Sequence, residues 1–296
     1  MYLDQIEGFL PEYLANILLD HDFDAERSFR ERGINRSVRF IACSGIVKNQ
    51  ILMKQIQDIM QLLQKEYEYP VDIEFTVNLS ETGEYSINLL QCRPLKVFKD
   101  IGKAQIPEDI AEEKIILENV HSSMGLSRNV KIDHIVLVDP IAYYNMPYAQ
   151  KPNVAKLIGT INWKYKGKNK HMLLMVPGRI GTSSPELGVP TTFADISEFE
   201  AICEIEEKKA GYNPELSYGS HIFQDLVEAE ILYTAVFANE KTLRFAPEKL
   251  AEYPDIVSLF TEDPELKQVV HVYDMSKVSC ELCNDLQNER LVLYQQ

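Results

Sequence analysis

Apolar residues recur at helical spacing in "IEGFLPEYLANILLD", where Ile6, Phe9, Leu10, Leu14, Ile17 and Leu18 form one stripe. "SVRFIACSG" (37–45) reads as a short strand. Between Asn49 and Tyr67 the positions Leu52, Ile56, Ile59, Met60, Leu63 and Tyr67 mark an amphipathic helix, and Pro70 suits its end. Alternation then takes over: "VDIEFTVNLS" and "SINLLQCRPL" flank the turn "ETGEY", a hairpin pattern. From Lys96 to Lys114 the chain turns polar, and a boundary is placed there.

Beyond it the pattern predicts strands at "EKIILENV", "NVKIDHIVLV", "HMLLMV", "FEAICEI" and "ILYTAVF". Helices are predicted at "KPNVAKLIGTINWKY" and "GSHIFQDLVEAE", and the last fifty residues carry strand-like "VVHVYDM" and "RLVLYQ". The expected fold is α/β of the α+β kind in three parts. These are 1–100, a mixed α/β domain over 101–245, and a small β-containing tail over 246–296 packed on the second domain.

Composition narrows the function. The chain has 296 residues, 45% of them apolar and 25% charged, as in a soluble globular protein. A net charge of −15 argues against broad nucleic-acid binding and against an anionic membrane surface, while leaving room for a nucleotide held by a local cluster of bases. Five scattered cysteines fit a reducing cytosol better than a disulfide framework. Cys280 and Cys283 have redox or zinc spacing; the simpler reading places two thiols on one helical turn. No apolar run reaches the roughly 20 residues that span a bilayer, and the start lacks a signal-peptide pattern, so a cytoplasmic location is expected.

The chemistry concentrates in "VDIEF". On a strand, Val71, Ile73 and Phe75 point one way while Asp72 and Glu74 point the other. If Thr82-Gly83 centres the turn, Asp72 lies opposite Arg93 and Glu74 opposite Gln91, all on one face. The other face pairs Val71, Ile73, Phe75 and Val77 with Leu90 and Cys92. Two readings stand, a solvated polar face or a site. Paired carboxylates supply hard oxygen ligands for Mg²⁺, and arginine supplies a fork for a phosphoryl group.

"PVDIEF" followed by "LLQCRPL" resembles the end of the ATP-grasp nucleotide-binding domain of the phosphoenolpyruvate synthase and pyruvate phosphate dikinase family. The resemblance spans about the first hundred residues. It implies that Asp72, Glu74 and Gln91 bind the nucleotide, with Glu74 and Gln91 on its Mg²⁺. It implies that Arg93 is catalytic at the transferred phosphoryl group. ATP is the implied substrate, a histidine on another domain the implied acceptor, and pyruvate or phosphoenolpyruvate the implied further partner. The family's domain begins some two hundred residues earlier, so the chain is expected to be a piece of a longer polypeptide, inactive alone and partnered by its own N-terminal part. A non-catalytic nucleotide- or partner-binding module of ATP-grasp ancestry is the alternative.

Two later motifs, "PGRIGTSSPELGVP" and "YGSHIFQDL", resemble segments that follow the ATP-grasp domain in some synthase-like proteins, with Ile180 where that pattern has tryptophan. Residues 178–183 could cradle an anion with backbone N–H groups and the Arg179 guanidinium. Ser220 is expected to cap the helix starting near His221, whose imidazole the helix terminus would keep neutral. Arg179, Ser183 and His221 form a possible anion site; the simpler alternative is a turn and a helix cap.

Overall fold

A computed structural model describes residues 10–42, 44–80, 84–95, 102–206, 216–217 and 220–296. The chain divides into two compact units, Met1–Val97 and Phe98–Gln296. The fold is mixed α/β.

In the first unit, α1 (Glu12–Leu18) leads into β1 (Leu19–His21), then α2 (Phe23–Glu31), β2 (Arg39–Ile41), α3 (Ser44–Lys48) and α4 (Gln50–Tyr67). Ile6 and Phe9 of the predicted first helix lie outside the described residues. Asn49 caps α4 by accepting from the Leu52 N–H, and Glu68 ends it in the left-handed conformation. The hairpin follows as β3 (Val71–Leu79) and β4 (Tyr85–Pro94), with α4 packed against it. Leu52 and Val71 are the buried apolar side chains of this unit among the described residues. A cavity of about 310 Å³, lined by Leu14, Ile17, Leu18, Ile46, Leu52 and Val77, lies between its helices and β3.

The second unit is built in layers. Its strands are β5 (Ile115–Val120), β6 (Ser123–Met124), β7 (Arg128–Lys131), β8 (His134–Val138), β9 (Met172–Pro177), β10 (Arg179–Ile180), β11 (Gly188–Val189), β12 (Ala201–Ile205), β13 (Leu232–Val236), β14 (Thr242–Phe245), β15 (Val270–Asp274), β16 (Cys280–Asp285) and β17 (Arg290–Gln295). A six-stranded sheet runs β15-β8-β9-β12-β13-β6, its four middle strands parallel. A five-stranded antiparallel sheet runs β14-β5-β17-β16-β7.

Alternation assigns the two faces of the parallel sheet. Val136, Leu174, Ile202 and Tyr233 pack with α5 (Pro140–Asn145), α6 (Lys151–Tyr165) and α7 (His221–Glu228). Ile135, Leu173, Cys203 and Leu232 pack instead on Leu117, Leu282 and Leu293 of the antiparallel sheet. Runs such as "MLLMV" (172–176) are apolar throughout because both of their faces are covered.

Two expectations need correction. "NVKIDHIVLV" is not one strand: β7 belongs to the antiparallel sheet and β8 to the parallel one. The chain crosses between them at Ile132-Asp133, where Ile132 N–H donates to Cys280 O and the Asp133 carboxylate takes His171 N–H and Lys170 Nζ. Cys280 and Cys283 are not on a helical turn but on β16. Three positions apart on a strand means opposite faces: Cys280 packs between the sheets, Cys283 on the outer side with Ile115 and Val292. The stretch 246–296 supplies β15, β16 and β17, strands of both sheets.

Candidate functional site

The hairpin register pairs Asp72 with Arg93, Ile73 with Cys92 and Glu74 with Gln91, as the turn-centred arithmetic predicts. α4 covers the side bearing Val71 and Val77, so Asp72 and Glu74 alternate onto the face away from the helix. Two carboxylates, an amide and a guanidinium therefore share one half-exposed polar face.

The register then shifts. A bulge between Glu74 and Phe75 makes Leu89, not Leu90, the partner of Phe75, and Thr76 pairs with Asn88. The expected contact of Phe75 with Leu90 is thereby corrected; Leu90 is the extra residue and is 63% exposed. An extra residue bends the strand and increases its twist, and bulges are frequent beside functional sites because they re-aim side chains. This one begins directly after the Glu74–Gln91 pair. A one-residue insertion leaves no mark in an alternating pattern of similar apolar residues such as "NLL", which is why the sequence did not show it.

As a donor set, the face offers hard oxygen atoms from Asp72, Glu74 and the Gln91 amide, with one cation alongside. That chemistry fits Mg²⁺ with a polyphosphate, since Mg²⁺ takes one or two carboxylates and completes its shell with phosphate oxygens and water.

The second motif set lies at the C-terminal ends of the parallel strands, where ligands of open α/β sheets bind. After β9, residues 178–181 turn sharply. Gly181 has φ of +71°, and a Cβ there would meet Ile222 of α7 at 2.3 Å, so the loop lies against the first turn of that helix. The structure thus brings the Arg179 and His221 segments side by side.

Of the N–H groups expected to cradle an anion, those of residues 178–181 are taken up inside the protein. Gly178 N–H donates to Ile205 O, Arg179 N–H to Leu187 O and Gly181 N–H to Val189 O. Ile180 N–H donates to Glu204 and Ser184 N–H to Thr182 Oγ1. Short parallel pairing of β10 with β11 takes the Arg179 and Gly181 donors, and β12 takes those of Gly178 and Ile180. Ser220 stands at the N-cap position of α7, but its hydroxyl donates to Ser217 O rather than capping the helix.

Sequence reasoning passed over Glu204 altogether. It sits within the apolar strand β12, fully buried, and accepts hydrogen bonds from Ile180 N–H, Ser217 N–H, Ser217 Oγ and Tyr233 OH. Burial pushes its carboxyl pKa up, and these donors pull against that. The second acidic residue of "FEAICEI", set between Cys203 and Ile205 in an apolar run, was the available signal.

Residues 17–114 match the family described as the pyruvate phosphate dikinase AMP/ATP-binding domain. No curated protein and no solved structure matches the chain. The match contains the whole hairpin, so the segment bearing Asp72, Glu74, Gln91 and Arg93 is that of an AMP/ATP-binding domain of this family. Among the described residues, no helix is long and apolar enough to cross a membrane.

Proposed function

From a chain whose residues 17–114 carry a pyruvate phosphate dikinase AMP/ATP-binding domain, we propose an ATP-dependent phosphotransferase of the phosphoenolpyruvate synthase kind. In this reading the hairpin is the phosphate end of the nucleotide site. Glu74 and Gln91 would hold Mg²⁺, and Asp72 would orient the metal-bound nucleotide. Mg²⁺ when bound would neutralise charge on the phosphate oxygens. Arg93, opposite Asp72, would hold the moving phosphoryl group through its planar fork. The carrying observation is the register: the carboxylate pair and the Gln–Arg pair stand across from one another, one step from the bulge.

The acceptor proposed is a histidine on another domain, with pyruvate as the final recipient. The reading also takes the chain as part of a longer cytoplasmic polypeptide. The first unit supports this, because it leaves Phe40, Ile41, Ile51, Leu62 and Leu89 exposed, apolar surface that further structure would cover. The same surface favours the second reading, a module that binds a nucleotide or partner without catalysis. In the second unit, Arg179, Ser183 and His221 are proposed to meet an anionic group through side chains.

Calorimetry separates the readings. The 296-residue chain should bind Mg²⁺-ATP weakly and show no kinase activity, because an incomplete cleft neither neutralises the triphosphate nor excludes water. The longer protein should bind and turn over ATP. Micromolar affinity in the chain alone contradicts the incomplete-cleft reading, and binding without turnover in the longer protein selects the module.

A further inference from the structure

With the N–H groups of residues 178–181 spent inside the protein, an anion at this edge would draw on side chains from two separate segments. One is the turn carrying Arg179; the other comprises Ser217, whose carbonyl accepts from Ser220, and α7, which carries His221. Their relative position decides whether the side chains converge. Glu204 joins them. Oε1 accepts from Ile180 N–H at 2.8 Å and lies 2.5 Å from Ser217 Oγ; Oε2 accepts from Ser217 N–H and from Tyr233 OH, both at 2.7 Å. Each oxygen thus faces one backbone N–H, and the two N–H groups belong to the two segments.

We infer that Glu204 is a positioning residue whose carboxylate bolts the Arg179 turn to Ser217, to which Ser220 at the start of α7 is hydrogen-bonded, so that the two move as one body. The inference rests on the anion reading for its functional meaning and on the hydrogen bonds alone for the coupling. It explains why a carboxylate, rather than its amide, stands in an otherwise apolar strand. A glutamine has the same shape, but in either orientation its NH₂ faces a backbone N–H, Ile180 in one and Ser217 in the other. One segment is always released.

Amide hydrogen exchange on the full 296-residue chain reads this directly. In the wild type the Ile180 and Ser217 amides should open together, with protection factors agreeing within about threefold. E204Q should speed both by about tenfold or more, the scale of losing a hydrogen bond to a charged group, while amides of β16 and β17 stay as they were. Y233F keeps both backbone anchors and should change the two amides by one common factor. Independent exchange of the two amides in the wild type, or unequal responses to Y233F, overturns the coupling without requiring E204Q to fold. So does an E204Q protein with wild-type protection at both amides.

The anion reading is tested separately by titrating inorganic pyrophosphate into wild type and R179Q. Shifts of the Gly178–Thr182 amides in the wild type, abolished by R179Q, support it. Coupled exchange with no pyrophosphate response keeps Glu204 as the bolt and removes the anion reading.

Discussion

Asp72 and Arg93 face each other on adjacent antiparallel strands, and the next pair on the same face is Glu74 with Gln91. In the longer phosphotransferase proposed above, this relationship would separate two kinds of binding energy. Arg93→Lys keeps the charge but loses the bidentate fork, so kcat should fall far more than KM rises. Loss of one transition-state donor costs on the order of 100- to 1,000-fold. Asp72→Asn should instead move the Mg²⁺ dependence. Steady-state kinetics at several Mg²⁺ concentrations distinguish the two; unchanged turnover in both variants would leave the hairpin as scaffold.

The bulge makes a stability contrast. Leu52 is 3% exposed and packs beside Val77, whereas Leu90 is the exposed extra residue. Leu52→Ala should destabilise the first unit by about 2–5 kcal/mol. Leu90→Ser should stay within about 0.5 kcal/mol. Urea titration followed by a probe in the first unit gives both values. A larger loss at Leu90 than at Leu52 would contradict the register shift.

The β16 cysteines should be chemically silent in the native protein. Burial pushes Cys280 and Cys283 up to about 12, leaving almost no thiolate at neutral pH. Half-buried Cys92 is the most accessible of the described thiols and should label before either. Mass-spectrometric mapping after brief alkylation checks the order. A disulfide between Cys280 and Cys283 in the folded chain is not expected, since they occupy opposite faces. Native labelling of Cys283 as fast as Cys92 would show the outer face to be open.

His134 introduces a pH dependence. Its ring is buried, with Tyr165 OH 3.1 Å from Nε2, and burial holds its pKa below the ordinary 6.5 despite the pull of Asp274 and Asp133. The unfolded chain takes up this proton near 6.5, while the folded one resists it. Stability is therefore complete above that value and declines as the pH falls through and below it. Asp133, Asp255 and Asp274, held low in the fold, act in the more acid carboxylate range. Urea midpoints at about pH 7.5 and 5.5 should differ more in wild type than in His134→Gln. Equal differences would remove His134 as the source.

Periodicity alone determined most of the elements. α4 and α6 begin and end where their apolar stripes and flanking residues place them, because those signals are local. The pairing of Asp72 with Arg93 was predicted from a turn centred on Thr82-Gly83, residues outside the described ones. Yet from Leu79–Tyr85 to Phe75–Leu89 the register is one residue off, and the extra residue Leu90 restores the predicted pairing beyond the bulge. Only tertiary structure decided the rest. The Leu90 bulge, the split of "NVKIDHIVLV" between two sheets and the strand under Cys280 and Cys283 all depend on which neighbour each segment finds. The fate of the 178–181 N–H groups was likewise set at a distance, by Ile205, Leu187, Val189 and Glu204. A backbone donor reads the same in sequence whether it is free for a ligand or spent on a strand that arrives later in the chain.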